Sequence, residues 1–463
     1  MKKTISEKAR EIEVIKEVDV LIVGGGTAGS VATIASARQG VKTLVVESFG
    51  FLGGSVSAGL VTPMMQNHIN EEPLNKGIGE EINERLLKEE CSGRIYASPT
   101  KADVSYWINP ELNKYVLEDM CLESGAEILY YTNFSEPIID KNKIVGIIVE
   151  NKLGRKAIIA KRVIDATGDA DVAFRAGVPC ESGRLKDGLN QAMSVRFIMG
   201  NVNLKKLSEF LTSIDPENKF EINYPLVHAA FTSGDDWPLN EIAKKAIKDG
   251  ILEEEDEDYF QLFSIPGREG EITFNCPRIS NRVKGTDPFD LTNAQIVGKK
   301  KIRRLIKFCK KYLPGFENAH LVLTAPMVGI RESRRIVGEY VLTVDDIKNH
   351  RKFEDGIARN NYPIDIHNPK RDDNQSVTFE EISKKDYHEI PYRCLVPKMI
   401  DNLLVAGRCI SATFEAQSSI RIQPTCRAFG EAAGLASALS IRENISPRNF
   451  EGKRLKQIIF GVT

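Results

Sequence analysis

The sequence predicts an α/β fold: a Rossmann-like domain of parallel sheet plus antiparallel meander, with an α+β domain inserted between its two halves. Three observations carry this. A β-branched apolar run at 18–23 meets glycines at once, and a small-residue helical stretch at 28–38 and a second apolar run at 42–47 follow. That is the strand, helix, strand order of a parallel βαβ unit. Runs at about 128–134, 144–150 and 156–165 are separated by the polar turns Asp140-Lys141-Asn142-Lys143 and Asn151-Lys152-Leu153-Gly154, the spacing of a meander. Near Asn402 the strand-then-glycine texture returns as NLLVAGR, and a small-residue helix at 430–439 follows. One sheet therefore draws on both ends of the chain.

At 463 residues the chain has room for two or three folding units. Its 42% hydrophobic content supports a large core without disulfides. Lys and Arg number 63 against 64 Asp and Glu, a net charge of -1, which argues against nucleic acid as a partner. The eight cysteines show neither C-x-x-C pairs nor metal-ligand spacing, so they read as reduced, buried thiols, and no metal site is expected. The first residues lack the apolar core of a secretory signal, and no run of about 18 uncharged apolar residues exists. A cytoplasmic protein without a membrane span is expected. The middle of the chain is more polar, with an acidic run at 253–258 and a basic helix at 299–311. Ile302, Leu305, Ile306, Cys309 and Leu313 recur there at helical spacing, which favours a solvated amphipathic helix over a nucleic-acid or membrane surface.

The chemistry concentrates in Gly24-Gly25-Gly26-Thr27-Ala28-Gly29. Gly24 permits the turn out of the strand, Gly26 lets backbone approach a pyrophosphate, and Gly29 lets the helix pack on the strand with its free N–H groups aimed at the phosphates. Glu47, 18 residues past Gly29, ends the second strand where a carboxylate accepts ribose hydroxyls. This much suits NAD or FAD. Gly53-Gly54-Ser55, Ala166-Thr167-Gly168 and Gly407-Arg408 then add small residues at three further places, two of them strand ends, which suits a long cofactor lying across a sheet and favours FAD.

With those segments in view, the chain resembles the FAD-dependent oxidoreductases whose nucleotide domain is of the glutathione-reductase type, nearer to the fumarate reductase flavoproteins than to disulfide reductases. The carriers are VDVLIVGGGTAGSVATIASARQGVKTLVVE (18–47), GFLGGSVSAGL (50–60), VIDATGDADVAFRAGVP (163–179), GIRESRRIVGEYVLTVDD (329–346) and NLLVAGRCISATFEAQSSIRIQPTCRAFGEAAGLA (402–436). The resemblance implies that Gly24, Gly26, Thr27, Ala28 and Gly29 hold the pyrophosphate and that Glu47 and Ser48 meet the adenosine ribose. It places Gly53, Gly54 and Ser55 beside the ribityl and flavin, Ala166, Thr167 and Gly168 near the adenine side, and Gly407 and Arg408 at the pyrophosphate or ribityl. The helix from Pro424 would aim its positive end at the flavin edge that becomes negative on reduction. Phe414 departs from the pattern, since family members often carry histidine there. The expected division is an N-terminal charged helical arm (1–17), a first part of the FAD-binding domain (18–184), a substrate or cap domain (185–390) and a second part of the FAD-binding domain (391–463).

Three side chains are candidates for catalysis. Arg331, with Arg334 and Arg335, falls at i, i+3 and i+4 if 331–340 is helical, and could clamp a carboxylate. Ordinary ion pairing, for instance of Arg335 with Glu339, is the competing reading. Arg421 lies between the last strand and the final helix, beside the flavin or in a phosphate or surface contact. His68 could be a proton donor or a covalent attachment point, against the reading of a satisfied structural histidine. Cys409 and Cys426 read as inert buried thiols. No second dinucleotide motif or redox-cysteine pair is present. The expectation is an enzyme moving hydride between FAD and a small organic substrate, with a carboxylate suited to the arginines and an electron donor or acceptor left unassigned. An NAD-dependent dehydrogenase and an electron-transfer flavoprotein subunit stay open, as does assembly into a homo-oligomer.

Overall fold

The apolar runs at the two ends of the chain meet in one seven-stranded sheet. The computed structural model describes residues 3–89, 92–96, 104–215, 220, 222–234, 236–281, 284–370, 377–383 and 385–461. The strand order is Glu127–Leu129, Thr43–Val46 (β2), Val14–Val23 (β1), Gly154–Asp165, Lys143–Asn151 and Asn133–Asp140, and Leu403–Val405 also pairs with Gly154–Asp165. The long strand Gly154–Asp165 changes neighbours on that side: it is antiparallel to the meander through Ile159 and parallel to Leu403–Val405 from Val163. Val23 lies opposite both Val46 and Asp165, and Asp165 opposite Val405. Four parallel strands thus end on one line, and the residues just beyond it are Gly24, Glu47, Ala166 and Ala406. Ligands of open α/β sheets bind at this carboxyl edge.

Helix α1 (Thr27–Ala37) joins β1 to β2 and packs on the C-terminal helix Gln423–Arg442. The small residues of both helices have a steric reason. A side chain on Gly430 would begin 2.1 Å from the Ala28 carbonyl oxygen, and one on Gly434 2.5 Å from that of Ala32. The two backbones touch.

The middle of the chain forms a six-stranded antiparallel sheet, ordered Ile222–Asn223, Leu226–Thr232, Tyr259–Ser264, Ile272–Phe274, Phe197–Gly200 and His320–Thr324. Phe197, Phe231, Phe260 and Phe274 pack beneath it against Leu305 and Phe308 of the helix Pro288–Tyr312. This is a second hydrophobic core. The two charged runs meet each other: Arg304 bonds Asp256 at 2.6 and 3.0 Å and also pairs with Glu253 and Glu255, while Lys301 is buried beside Glu255. The basic helix is thus partly neutralised from within rather than wholly solvated. Leu342, Ile347, Ile357, Ile364 and Ile390 belong to the first core, with α1 and the C-terminal helix.

Three local expectations are corrected. The arm is not helical: residues 3–13 carry no regular structure, and β1 begins at Val14 because the chain already pairs with Ala157 there. The run 128–134 is two strands. Glu127–Leu129 joins β2 in parallel, and the meander starts at Asn133. Residues 331–340 are not a helix, because Arg334–Ile336 pairs as a strand with Cys180–Ser182, which puts Arg334 and Arg335 on opposite faces.

Candidate functional site

The carboxyl edge of the parallel strands opens into a cavity of about 830 Å³ that continues to the second sheet. Its first half is lined by Gly24, Gly26, Thr27, Ala28, Glu47, Ser48, Gly54, Ser55, Ala166, Thr167, Gly168, Gly407 and Arg408. The two remaining glycines act one layer back. A Cβ on Gly29 would sit 1.8 Å from the Gly24 carbonyl oxygen, so this position serves helix-to-loop packing. Gly53 donates its N–H to the Gly25 carbonyl (2.8 Å) and ties the second glycine loop to the first. Gly26 differs from both. A Cβ there would have nothing nearer than Gly54 Cα at 3.8 Å, so its bare backbone faces open space.

Each loop is held from below. Glu47, only 7% exposed, accepts the Gly25 N–H (2.7 Å) on one carboxylate oxygen and the Phe49 N–H and Ser48 hydroxyl (both 2.9 Å) on the other. Asp165, fully buried, accepts from the Thr167 N–H (3.1 Å), the Thr167 hydroxyl (2.7 Å) and the Ala173 N–H (2.9 Å), and burial pushes its carboxyl up to about 6. Arg408 bonds Asp169 at 2.8 Å and leaves its buried Nε without a partner. The Thr27 hydroxyl bonds the Gln423 amide oxygen, so the positive ends of α1 and of the C-terminal helix lie together at the cavity. Bare backbone at Gly26, two helix N-termini, a buried carboxylate at Glu47 and an unpartnered guanidinium donor suit a dinucleotide.

The second half gathers side chains from distant segments. Arg331 and Arg421 line it, with Trp107, Arg196, His228, Tyr259, Gln261, Phe263, Asn275, Tyr362, Asp365 and His367. Arg331 donates to the Ala192 carbonyl (2.8 Å) and the Asn275 amide oxygen (3.3 Å), and Arg196 to the Leu60 carbonyl (3.0 Å). Neither is ion-paired among the described residues. Burial pulls Arg331 down to about 9, helped by the nearby Arg421, and burial pulls Arg196 down to about 10. Both remain cations at neutral pH. Arg421 lies 3.4 Å from the Asp365 carboxylate, the acid that faces this cluster. The Tyr259 hydroxyl donates to Gln261 (2.6 Å) and accepts from Asn275 (3.1 Å), and burial raises it to about 12. Burial, with the surrounding arginines, drives His367 well below its usual value, so the ring is neutral and its buried Nδ1 has no partner.

The other candidates lie elsewhere. Arg334 bonds Asp171 (2.8 Å), and Arg335 bonds Glu332 and the Ala412 carbonyl (3.0 Å). Glu339, expected beside Arg335, pairs with Arg448 instead. His68 is placed away from the large cavity: the short hairpin His68–Ile69 with Glu72–Pro73 turns its ring toward Tyr106, beside a separate cavity of about 20 Å³. Phe414 packs near Arg335, and the cavity's imidazoles come from His228 and His367. Cys426 lines the cavity with its thiol pushed up to about 12 by burial, and Cys409 is buried and held well above the usual thiol range by the same cause.

The model of the FAD dependent oxidoreductase family matches residues 19–459. The chain belongs to the FAD-dependent oxidoreductase family. Its cofactor is FAD, which decides between the two dinucleotides that the first glycine motif admits. It is 32% identical to the thiamine thiazole synthase of Methanococcus vannielii over 173 residues, 34% of this chain and 58% of that protein. Against digeranylgeranylglycerophospholipid reductase 2 of Methanopyrus kandleri it is 28% identical over 154 residues, 33% of this chain and 38% of that one. The match thus spans a little over half of the first relative and less of the second. A solved geranylgeranyl bacteriochlorophyll reductase-like protein from Thermoplasma acidophilum superposes with a TM-score of 0.46 at 17% identity, covering 96% of this chain and 83% of its own.

Proposed function

We propose that this family member moves hydride between FAD and a small organic carboxylate bound between its two cores. The observation that carries the reading is the single cavity running from the glycine loops to Arg196, Arg331 and Arg421. Gly24, Gly26, Thr27, Ala28, Gly407 and Arg408 would hold the pyrophosphate and ribityl, Glu47 and Ser48 the adenosine ribose, and Gly54 and Ser55 the flavin side, with Gly29 and Gly53 shaping those loops. When bound, FAD supplies the hydride donor or acceptor. The chain supplies position and charge. Arg331 and Arg421 orient the carboxylate, Arg196 adds positive potential, and the low-dielectric walls strengthen all three. Tyr259 Oη keeps its proton at neutral pH and His367 stays neutral, so the arginines carry the charge that faces the carboxylate.

We draw the substrate unit around the second core, about 193–330, with the FAD unit formed by the segments on either side. No helix among the described residues is long and apolar enough to cross a membrane. The free cysteines at 121, 180, 276, 309, 394, 409 and 426 support a reducing, cytoplasmic setting. The electron partner and any self-association are outside this reading. The test is anaerobic bleaching of the bound flavin by a panel of organic acids and their amides. At least one acid should bleach it and its amide should not. Arg331→Ala and Arg421→Ala should each slow bleaching by that acid a hundredfold or more. Unchanged bleaching in both variants would remove the carboxylate from the reading.

A further inference from the structure

The strand Tyr259–Ser264 runs along the second half of the cavity and presents Tyr259, Gln261 and Phe263 to it. Alternate residues of a strand share a face, so these three form one row, with about 13 Å between the first and last Cα. The two ends of the row differ in chemistry. At Tyr259 the neighbours are polar and cationic: Asn275 bonds its hydroxyl, Arg331 bonds Asn275, and the His367 ring stands edge-on at 5.4 Å. At Phe263 the neighbours are flat rings. His228 stacks on Phe263 at 4.7 Å and 11°, and Trp107 meets Phe263 edge-on at 5.3 Å and His228 at 6.2 Å. Trp107 and Phe263 form an apolar cluster apart from both main cores, and both line the cavity. Gln261 bridges the ends, since its amide oxygen accepts from Tyr259 and its nitrogen lies 3.0 Å from His228 Nε2.

We propose that the substrate is an elongated aromatic carboxylate, its carboxylate at Arg331 and its ring against Trp107, His228 and Phe263. This rests on the functional reading above and sharpens it to a substrate class. Arg421 has Asp365 beside it, but Arg331 has no ion pair among the described residues, so an incoming anion supplies its missing charge. The ring end offers stacked and edge-on π faces, which reward a planar ring beyond simple apolar contact. A short diacid fits neither condition: its second charge would meet the aromatic end, where the lining offers rings and no cation.

The probes are phenylacetate, 4-phenylbutanoate and 6-phenylhexanoate, with hexanoate and 6-phenylhexanol as half-matched controls, titrated calorimetrically into the flavin-loaded protein. Affinity should rise along the phenyl series. 6-Phenylhexanoate should bind at least tenfold tighter than either control. The chain has two tryptophans, so a Trp237→Phe background reports on Trp107 alone, and its fluorescence should change on saturation with 6-phenylhexanoate. Phe263→Leu should remove the preference for 6-phenylhexanoate over hexanoate, and Arg331→Gln the preference for 6-phenylhexanoate over 6-phenylhexanol, each with flavin content unchanged. Hexanoate binding as tightly as 6-phenylhexanoate, or no binding by any phenyl acid to fully flavin-loaded protein, would overturn the proposal. Flavin that is bound and bleached by another acid in that same case would leave the hydride-transfer reading standing.

Discussion

Gly26 and Gly29 sit three residues apart in one loop and should fail in different ways when a methyl group is added. A Cβ on Gly26 meets only Gly54 Cα at 3.8 Å, and the backbone there, φ -72° and ψ -165°, is open to alanine. Replacing a glycine N-cap by alanine costs the apoprotein no more than about 1 kcal/mol. The methyl instead projects into the space where a pyrophosphate must come within hydrogen-bond distance of the backbone. Losing one or two charge-assisted bonds, about 1.5–3 kcal/mol each, weakens FAD by between about tenfold and about ten-thousandfold. A Cβ on Gly29 would lie 1.8 Å from the Gly24 carbonyl oxygen and 3.1 Å from Ala166 Cβ. Helix α1 has to move, and overpacking of this kind costs about 1–3 kcal/mol before any ligand is present. The assay is urea unfolding of flavin-stripped protein, paired with FAD titration followed by quenching of flavin fluorescence. Gly26→Ala should unfold within about 1 kcal/mol of the parent and bind FAD at least about tenfold more weakly. Gly29→Ala should lose both stability and affinity. Parent-like FAD affinity in Gly26→Ala would refute the placement of the pyrophosphate against Gly26.

Other outcomes follow from the same structure. Arg304→Ala should cost about 3 kcal/mol in chemical denaturation, because it strands the buried Asp256 carboxylate without its partner. Unchanged stability would mean solvent already screens that pair. His388 is fully buried and held down to about 3, mainly by burial, so below pH 6.5 the unfolded chain takes up a proton that the native state refuses. Stability should therefore fall by about 2 kcal/mol between pH 7 and pH 5 through this group. His388→Gln should be less acid-sensitive by that amount, and equal slopes would contradict it. His68→Asn should leave FAD content per folded molecule unchanged, since His68 faces a different cavity; a loss of flavin confined to this variant would return it to the cofactor site.

The FAD half of the site was legible because each contributing segment is local. An apolar run that stops on a small residue reports a buried strand and its exposed end together, and Val23, Val46, Asp165 and Val405 do line up in register. The substrate half was not legible in that way. Arg196, His228, Tyr259 and the pair Asp365 and His367 come from four separate segments, and only tertiary packing brings them together. One signal was available in YFQLFS, where Tyr259, Gln261 and Phe263 alternate with Phe260 and Leu262 of the second core. The arginine cluster misled for a physical reason: helical spacing at 331–335 is equally compatible with a strand. Pairing with Cys180–Ser182 separates Arg334 and Arg335, while Arg331 reaches the cavity from the segment before that strand.

The central claim, that this cavity holds FAD for hydride transfer, is tested most directly by the visible spectrum of the purified protein before and after heat denaturation, with the released chromophore identified. The account predicts a flavin spectrum and the release of one FAD per chain. A colourless protein that takes up no FAD on reconstitution would contradict it.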